Sequence, residues 1–170
     1  MEIAREAVRV AAGGGRYVPP EAIVANMPAL LEPRATFVTL RKDQELRGCI
    51  GTTVARYPLY RAIAESAYSA SREDPRFPPV DPAEVPEIAL EISVLSPLFD
   101  IRPSEVVVGQ HGLVVSQGAS RGLLLPQVAV DHHLTAEQFL EMTCRKAGLP
   151  RDAWRNGAKV QAFTAEVFSE

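Results

Sequence analysis

Residues that hold metals or form cross-links are scarce in this sequence. Two cysteines among 170 residues, Cys49 and Cys144, exclude a disulfide framework and a four-thiolate zinc site. Of the three histidines, His132 and His133 are adjacent and diverge, and His111 stands alone, so the spacing of a chelating pair is absent. The sequence therefore predicts no metal site, and nothing in it indicates another bound cofactor.

Long apolar runs and an excess of positive charge are also missing. No run approaches the ~18 apolar residues of a membrane span, and the amphipathic start has no apolar segment of the signal-peptide kind. The 18 Lys and Arg residues stand against 21 Asp and Glu residues, which gives a net charge of −3. Unaided binding to phosphate backbones needs clustered positive charge. We therefore expect a cytoplasmic protein with reduced thiols and no membrane partner, and the charge disfavours nucleic acid as a partner.

The common catalytic and nucleotide-binding motifs are absent as well. The sequence contains no Gly-x-Ser-x-Gly, Gly-x-Gly-x-x-Gly, Walker or Cys-x-x-Cys pattern. Its length and its 46% of apolar residues are those of an ordinary globular protein. We expect one domain over residues 1–170, at most with a small second lobe.

Apolar residues at helical spacing predict three main helices. The first ends at the three glycines Gly13–Gly15, and the second covers Pro58–Arg72. The third covers Thr135–Ala147 and begins with a capping box between Thr135 and Gln138.

Alternating and β-branched segments predict strands. The predicted strands are Thr36–Leu40, Leu46–Ile50, Glu87–Leu95, Val106–Val108, Leu113–Ser116, Gly122–Leu125 and Val160–Phe168. Hairpins predominate, and helices do not alternate regularly with strands. We therefore expect an α+β fold with a mainly antiparallel sheet flanked by helices, and not a doubly wound nucleotide fold.

The most unusual local sequence is the hexapeptide Leu46-Arg47-Gly48-Cys49-Ile50-Gly51. Glycines on both sides of Cys49 let a ligand or a second backbone approach closely. Arg47 lies two residues away, hence on the same strand face if the strand is regular, and a neighbouring cation raises the thiolate fraction of a cysteine. Two interpretations remain open for Cys49, a nucleophile or ligand contact and a small buried core residue. Cys144 falls on the apolar stripe of its helix, which predicts a core position.

Arg76, Glu91 and His111 are candidate neighbours of Cys49. His111 lies in a turn between strands, where it could act as a base or simply be solvated. Glu91 lies at the centre of a strand opposite the apolar face, which is either covered by a helix or open to water. Asp74 and Arg76 lie in a proline-rich loop that either borders a cleft or holds an internal ion pair.

The hexapeptide resembles the signature of the AMMECR domain family, which is named for a human chromosomal region associated with Alport syndrome, midface hypoplasia and elliptocytosis. Other blocks of the family have similar counterparts here in the same order. These blocks are Phe37–Leu40, Asp74–Pro79, Glu91–Pro97, His111–Leu113, Leu124–Ala129 and Cys144–Leu149. The resemblance covers nearly the whole chain.

The resemblance implies an α+β fold with a larger and a smaller lobe, and a family whose biochemical function is unsettled. Related bacterial and archaeal chains are often encoded beside, or fused to, a Memo-type protein and a radical S-adenosylmethionine enzyme, which implies a shared pathway and makes these proteins candidate partners. The hexapeptide of the family implies a site at Arg47, Gly48, Cys49 and Gly51, with Ile50 between them.

Three functional hypotheses follow. The first is a small-ligand-binding or catalytic domain in which Arg47 holds an anion, the backbone of Gly48–Gly51 donates hydrogen bonds, and Cys49 is the nucleophile or contact. Arg76, Glu91 and His111 are its candidate neighbours. The second is a non-catalytic module that presents the same surface to another protein. The third, weakest hypothesis is RNA or nucleotide binding by Arg56, Tyr57 and Arg61.

Overall fold

The computed structural model describes the whole chain, Met1–Glu170. Its helices are α1 (Glu2–Ala12), α2 (Pro28–Leu31), α3 (Leu59–Arg72), α4 (Pro126–Asp131) and α5 (Ala136–Lys146). Its strands are β1 (Ala35–Lys42), β2 (Glu45–Thr52), β3 (Ile88–Leu95), β4 (Phe99–Asp100), β5 (Gly112–Gln117), β6 (Ser120–Leu124), β7 (Lys159–Phe163) and β8 (Ala165–Ser169). No helix combines the length and the apolar character that crossing a membrane requires.

The chain divides into two compact units. The first comprises Met1–Leu95 and Glu166–Glu170, and its sheet has the strand order β2-β1-β3-β8. The second comprises Ser96–Ala165, and its sheet has the order β4-β7-β5-β6. Two antiparallel four-stranded sheets with five helices confirm the predicted α+β class.

In the first unit, α1 and α3 provide the helical side of the core. They approach each other through small buried side chains, including Ala4, Ala7 and Ala67. The sheet contributes the alternate residues of its strands to this core, among them Val38 and Leu90. Each fully buried Val or Leu contributes roughly 1.5–3 kcal/mol. The residues between these positions, such as Thr39, therefore face the other side of the sheet.

The hairpin of β1 and β2 contains two irregular features that orient the hexapeptide. Asp43 and Gln44 form a two-residue turn in which both residues have positive φ, 52° and 67°. Arg47 is then an extra residue in β2, because the register moves from the pair Arg41–Leu46 to the pair Leu40–Gly48. This β-bulge displaces every later residue of β2 by one position relative to β1.

The second unit has its own core, built mainly by α5 and the centre of its sheet. Thr135 caps α5, and its capping box with Gln138 forms as predicted. Phe139, Leu140 and Cys144 project from α5 into the core and are almost completely buried.

Two predicted strands are wrong. Val106–Val108 is not a strand, because Pro103 begins a single helical turn and the carbonyl of Val107 then accepts a hydrogen bond from the N–H of His111. Val160–Phe168 is not one strand but two, β7 and β8, which belong to different sheets. Thr164 separates them, and its N–H and C=O both bond to Ser96.

Gly48 is the point at which β2 packs against α3. A Cβ added there would lie 2.3 Å from the carbonyl oxygen of Ala70. Because this oxygen belongs to the backbone of α3, it cannot move aside as the end of a side chain could. We expect Gly48→Ala to reduce the free energy of unfolding by about 1–3 kcal/mol. Gly13→Ala is the control, because its Cβ would make its nearest contact at 3.5 Å. Urea denaturation measures both, and equal losses would contradict this packing.

Candidate functional site

The hexapeptide lies in β2, an edge strand whose outer side is covered by two side chains. The N–H of Cys49 donates a hydrogen bond to the Asp74 carboxylate at 2.9 Å. The guanidinium of Arg76 donates a hydrogen bond to the carbonyl of Cys49 at 3.2 Å. Both polar backbone groups of Cys49 are therefore bound on the side that no strand covers.

Asp74 and Arg76 form an ion pair supported by three hydrogen bonds. The Asp74 carboxylate accepts two hydrogen bonds from the Arg76 guanidinium, at 2.9 and 2.7 Å, and one from the Arg76 N–H at 3.1 Å. The side chain of Asp74 is 2% exposed, whereas that of Arg76 is 52% exposed. The Arg76 guanidinium and the N–H groups of Cys49 and Arg76 hold the pKa of Asp74 well below its usual range, against the opposing effect of burial.

Arg47, the bulge residue, is held by an acidic loop residue. Its guanidinium binds both carboxylate oxygens of Glu84, at 3.1 and 2.9 Å, and donates to the carbonyls of Pro78 and Pro79. The hydrogen bond from Arg47 is the main reason that the pKa of Glu84 falls to about 2. The bulge interrupts the regular alternation that would place Arg47 on the Cys49 face. The guanidinium that the sequence analysis predicts to hold an anion is thus bound to Glu84 and two backbone carbonyls here, and its anion-binding role stays a prediction.

Three polar side chains lie in one row on the sheet face opposite the helices. Thr39 pairs with Cys49 on one side and with Glu91 on the other. The N–H and the C=O of Cys49 bind Asp74 and Arg76, so they point away from β1. Cys49 and Thr39 are therefore a non-hydrogen-bonded cross-strand pair, the type in which the two side chains lie closer together. The Thr39 hydroxyl donates a hydrogen bond to the Cys49 sulfur at 3.3 Å. Glu91 is half-buried and forms no ion pair.

The two cysteines differ sharply in their surroundings. Cys49 is half-buried, and the arginine that approaches it is Arg76. Cys144 is completely buried, and this burial raises the pKa of its thiol. A reagent in solution can therefore distinguish the two thiols.

A cavity of about 370 Å³ lies at the end of β2, between that strand and α3. Its lining comprises Ile50, Gly51, Thr52, Val54, Arg56, Tyr57, Ala62, Glu65, Ser66 and Ser69. Cys49 is not part of the lining, since its side chain lies on the other face of the strand. Gly51 permits the close approach of β1, because a Cβ there would lie 2.3 Å from the carbonyl oxygen of Thr36.

His111 belongs to the second unit, where it closes a turn. Its Nδ1 accepts a hydrogen bond from the N–H of Val107 at 3.1 Å, and its ring meets that of Phe99 edge-on, with 5.8 Å between centroids. These contacts join His111 to residues of its own unit. No three His, Cys, Asp or Glu side chains converge anywhere in the chain as a metal site would require.

The sequence analysis did not identify Thr39 and Glu84 as residues of the site. The two-residue turn alone would pair Cys49 with Val38, so only the bulge at Arg47 places Thr39 opposite Cys49. For Asp74 and Arg76 the spacing did suggest an internal ion pair. It gave no sign that the pair would bind the backbone of Cys49, because that contact joins residues 25 positions apart.

The sequence and the fold both match known proteins. The AMMECR1 family model matches residues 1–168. A protein of Thermococcus gammatolerans is 44% identical over 183 residues, covering 100% of this chain and 88% of that protein. A protein of Methanosarcina acetivorans is 40% identical over 177 residues, covering 100% and 89%. The crystal structure of uncharacterized protein PH0010 from Pyrococcus horikoshii is similar, with a TM-score of 0.91, 40% identity, and coverage of 99% of this chain and 88% of that one.

The ion pair of Glu84 and Arg47 makes stability depend on pH in the acid range. A carboxyl group whose pKa is lower in the folded state binds fewer protons there than in the unfolded chain. Its stabilisation is complete above the unfolded pKa of ~4.3 and is lost as the pH falls toward the folded value of about 2.

We expect Glu84→Gln to lower the free energy of unfolding by about 1–2 kcal/mol at pH 6. It should also reduce the decline of stability between pH 4.5 and pH 2. Glu45→Gln is the matched control, because Glu45 is an exposed residue of the strand that contains Arg47 and forms no ion pair. Urea denaturation at several pH values measures both effects, and an unchanged pH slope for Glu84→Gln would contradict the assigned role.

Proposed function

The chain belongs to the AMMECR1 family, as its hexapeptide and ordered blocks indicate, and we propose that it binds a small ligand through the thiol of Cys49. One observation carries this proposal. Both polar backbone groups of Cys49 are held by Asp74 and Arg76, while the residue is only partly buried and its sulfur accepts a hydrogen bond from Thr39. A residue with only a packing role needs neither the exposure nor the donor.

Two groups bind Cys49 beside its sulfur: the Thr39 hydroxyl donates a hydrogen bond to the sulfur, and the Arg76 guanidinium donates one to the carbonyl of the same residue. A hydroxyl that donates to a thiolate sulfur stabilises its negative charge. The thiolate is the form that attacks electrophiles and binds soft ligands. Because the N–H and the C=O of Cys49 are both bound, its backbone is already ordered and loses little conformational entropy when a ligand binds.

The side chains around Cys49 determine which polar and charged groups a bound ligand contacts. Arg76 is half-exposed and has N–H groups with which a carbonyl or an anionic group can interact. Glu91, two strands away from Cys49 in the same row, provides an unpaired carboxylate for a donor or cationic group. Gly48 and Gly51 contribute close packing of the strand. We assign His111 a structural role in the second unit.

A protein-interaction module is the second candidate function, and one observation favours it. Val18, Ile23 and Met27, all between α1 and α2, expose half or more of their surface. Such a segment suits contact with another protein, and the family resemblance suggests a Memo-type or radical S-adenosylmethionine protein. This function would not depend on the Cys49 sulfur, so Cys49→Ser would preserve it. The net charge of −3 gives no support to an RNA-binding function.

Alkylation by iodoacetamide tests the thiol site, with Cys144 as the internal reference. In the folded protein at pH 7 we expect Cys49 to be modified, and Cys144 to react only after unfolding. Mass spectrometry of peptides quantifies both rates between pH 5 and pH 9.

Thr39→Val supplies the matched variant, because it removes the hydroxyl donor and keeps a side chain of similar size. We expect it to slow alkylation of Cys49 at pH 7 about threefold to tenfold, as the loss of one hydrogen bond implies. If both cysteines react only on unfolding, or if Thr39→Val reacts like the wild type, the thiol site is refuted.

A further inference from the structure

The cavity between the end of β2 and α3 is a second concave site, separate from the Cys49 sulfur. Its volume of about 370 Å³ lies at the lower end of the range for small-molecule sites. Ile50, Val54 and Ala62 give it an apolar wall, and Tyr57 adds one aromatic ring. A cavity of this size and lining suits a ligand with a single ring or a short apolar body.

The charges around Tyr57 are positive. Arg56 lines the cavity, and the Arg61 guanidinium lies over the Tyr57 ring at 4.4 Å from its centroid. Neither arginine forms an ion pair, although the net charge of the chain is −3. The aromatic side of the cavity therefore carries cationic charge that no acidic side chain neutralises.

The side of the cavity formed by α3 is polar but electrically balanced. Glu65 lines it, and its carboxylate is paired with Arg16. The hydroxyl of Ser66 donates to the carbonyl of Thr36, and that of Ser69 donates to Glu73. Because their hydrogens are used, these hydroxyls can only accept further hydrogen bonds, so this side favours ligand N–H or O–H groups.

We propose that this cavity binds a small organic anion whose ring packs against Tyr57 and the apolar wall, with its carboxylate or phosphate group at Arg56. Hydroxyl or amino groups on the ring donate hydrogen bonds to the hydroxyl oxygens of Ser66 and Ser69. The inference does not depend on the thiol function of Cys49, because Cys49 does not line the cavity.

Isothermal titration calorimetry with four simple probes tests the proposal. Phenyl phosphate and benzoate combine a ring with an anion, inorganic phosphate lacks the ring, and benzylamine carries the opposite charge. We expect at least one aromatic anion to bind, inorganic phosphate to bind more weakly than phenyl phosphate, and benzylamine not to bind. The ratio of phenyl phosphate to benzoate affinity distinguishes a phosphate from a carboxylate ligand. Absence of binding by both aromatic anions, or equal binding of benzylamine, would overturn the proposal.

Variants locate the binding and separate it from the thiol site. We expect Arg56→Ala to weaken binding of the aromatic anion about tenfold, as the loss of one charge-assisted contact implies. Arg151→Ala removes an exposed, unpaired arginine of the second unit and should leave the affinity unchanged. Cys49→Ser should also leave it unchanged, whatever the result of the alkylation experiment. Equal effects of Arg56→Ala and Arg151→Ala would show that the anion does not bind in the cavity.

Discussion

The backbone of Cys49 is held by the ion pair of the buried Asp74 and the half-exposed Arg76, and the geometry of the hexapeptide depends on this contact. An edge strand with unbound N–H and C=O groups is open to water and to pairing with other chains. Here a carboxylate accepts from the N–H and a guanidinium donates to the C=O of one residue, much as a neighbouring strand would. The loop after α3 thus supplies, through the side chains of Asp74 and Arg76, the two hydrogen-bond partners that a neighbouring strand would give Cys49.

A second ion pair, between Arg47 and Glu84, holds the same strand at its bulge. Arg47 is the extra residue of the bulge, and Glu84 binds its guanidinium through both oxygens. A bulge leaves its extra residue without a cross-strand partner, so a specific contact for that residue stabilises the bulge relative to regular pairing. Arg47 therefore matters for the register of β2, which decides the orientation of every residue after it.

This register separates the two faces on which chemistry can occur. Cys49 and Thr39 lie on the face opposite the helices, where Cys49 is half-buried and its sulfur accepts a hydrogen bond from the Thr39 hydroxyl. Ile50 and Thr52, which alternate with Cys49, line the cavity next to α3. One short strand thus contributes to two different surroundings, a partly buried thiol on one face and the wall of a cavity on the other.

The sequence by itself determined the α+β class, the β1–β2 hairpin, the long helices and the family, because these depend on local periodicity, turn residues and ordered motifs. It also singled out Cys49 and Arg76. It predicted one strand over Val160–Phe168. In the structure Thr164 interrupts the strand, because it forms hydrogen bonds with Ser96, 68 positions away, and not with a neighbouring strand. Periodicity cannot detect such a break, since the apolar pattern continues on both sides of it.

Only the tertiary structure decided what surrounds the sulfur. A regular hairpin would place Cys49 opposite Val38, on the core side, which is the buried interpretation that the sequence left open. The bulge at Arg47 places it opposite Thr39 instead. That bulge is stabilised by Glu84, 37 positions along the chain, and the Cys49 backbone is held by Asp74, 25 positions along. A one-residue shift reverses the face of a strand, and long-range ion pairs that stabilise such a shift leave no signal in local spacing.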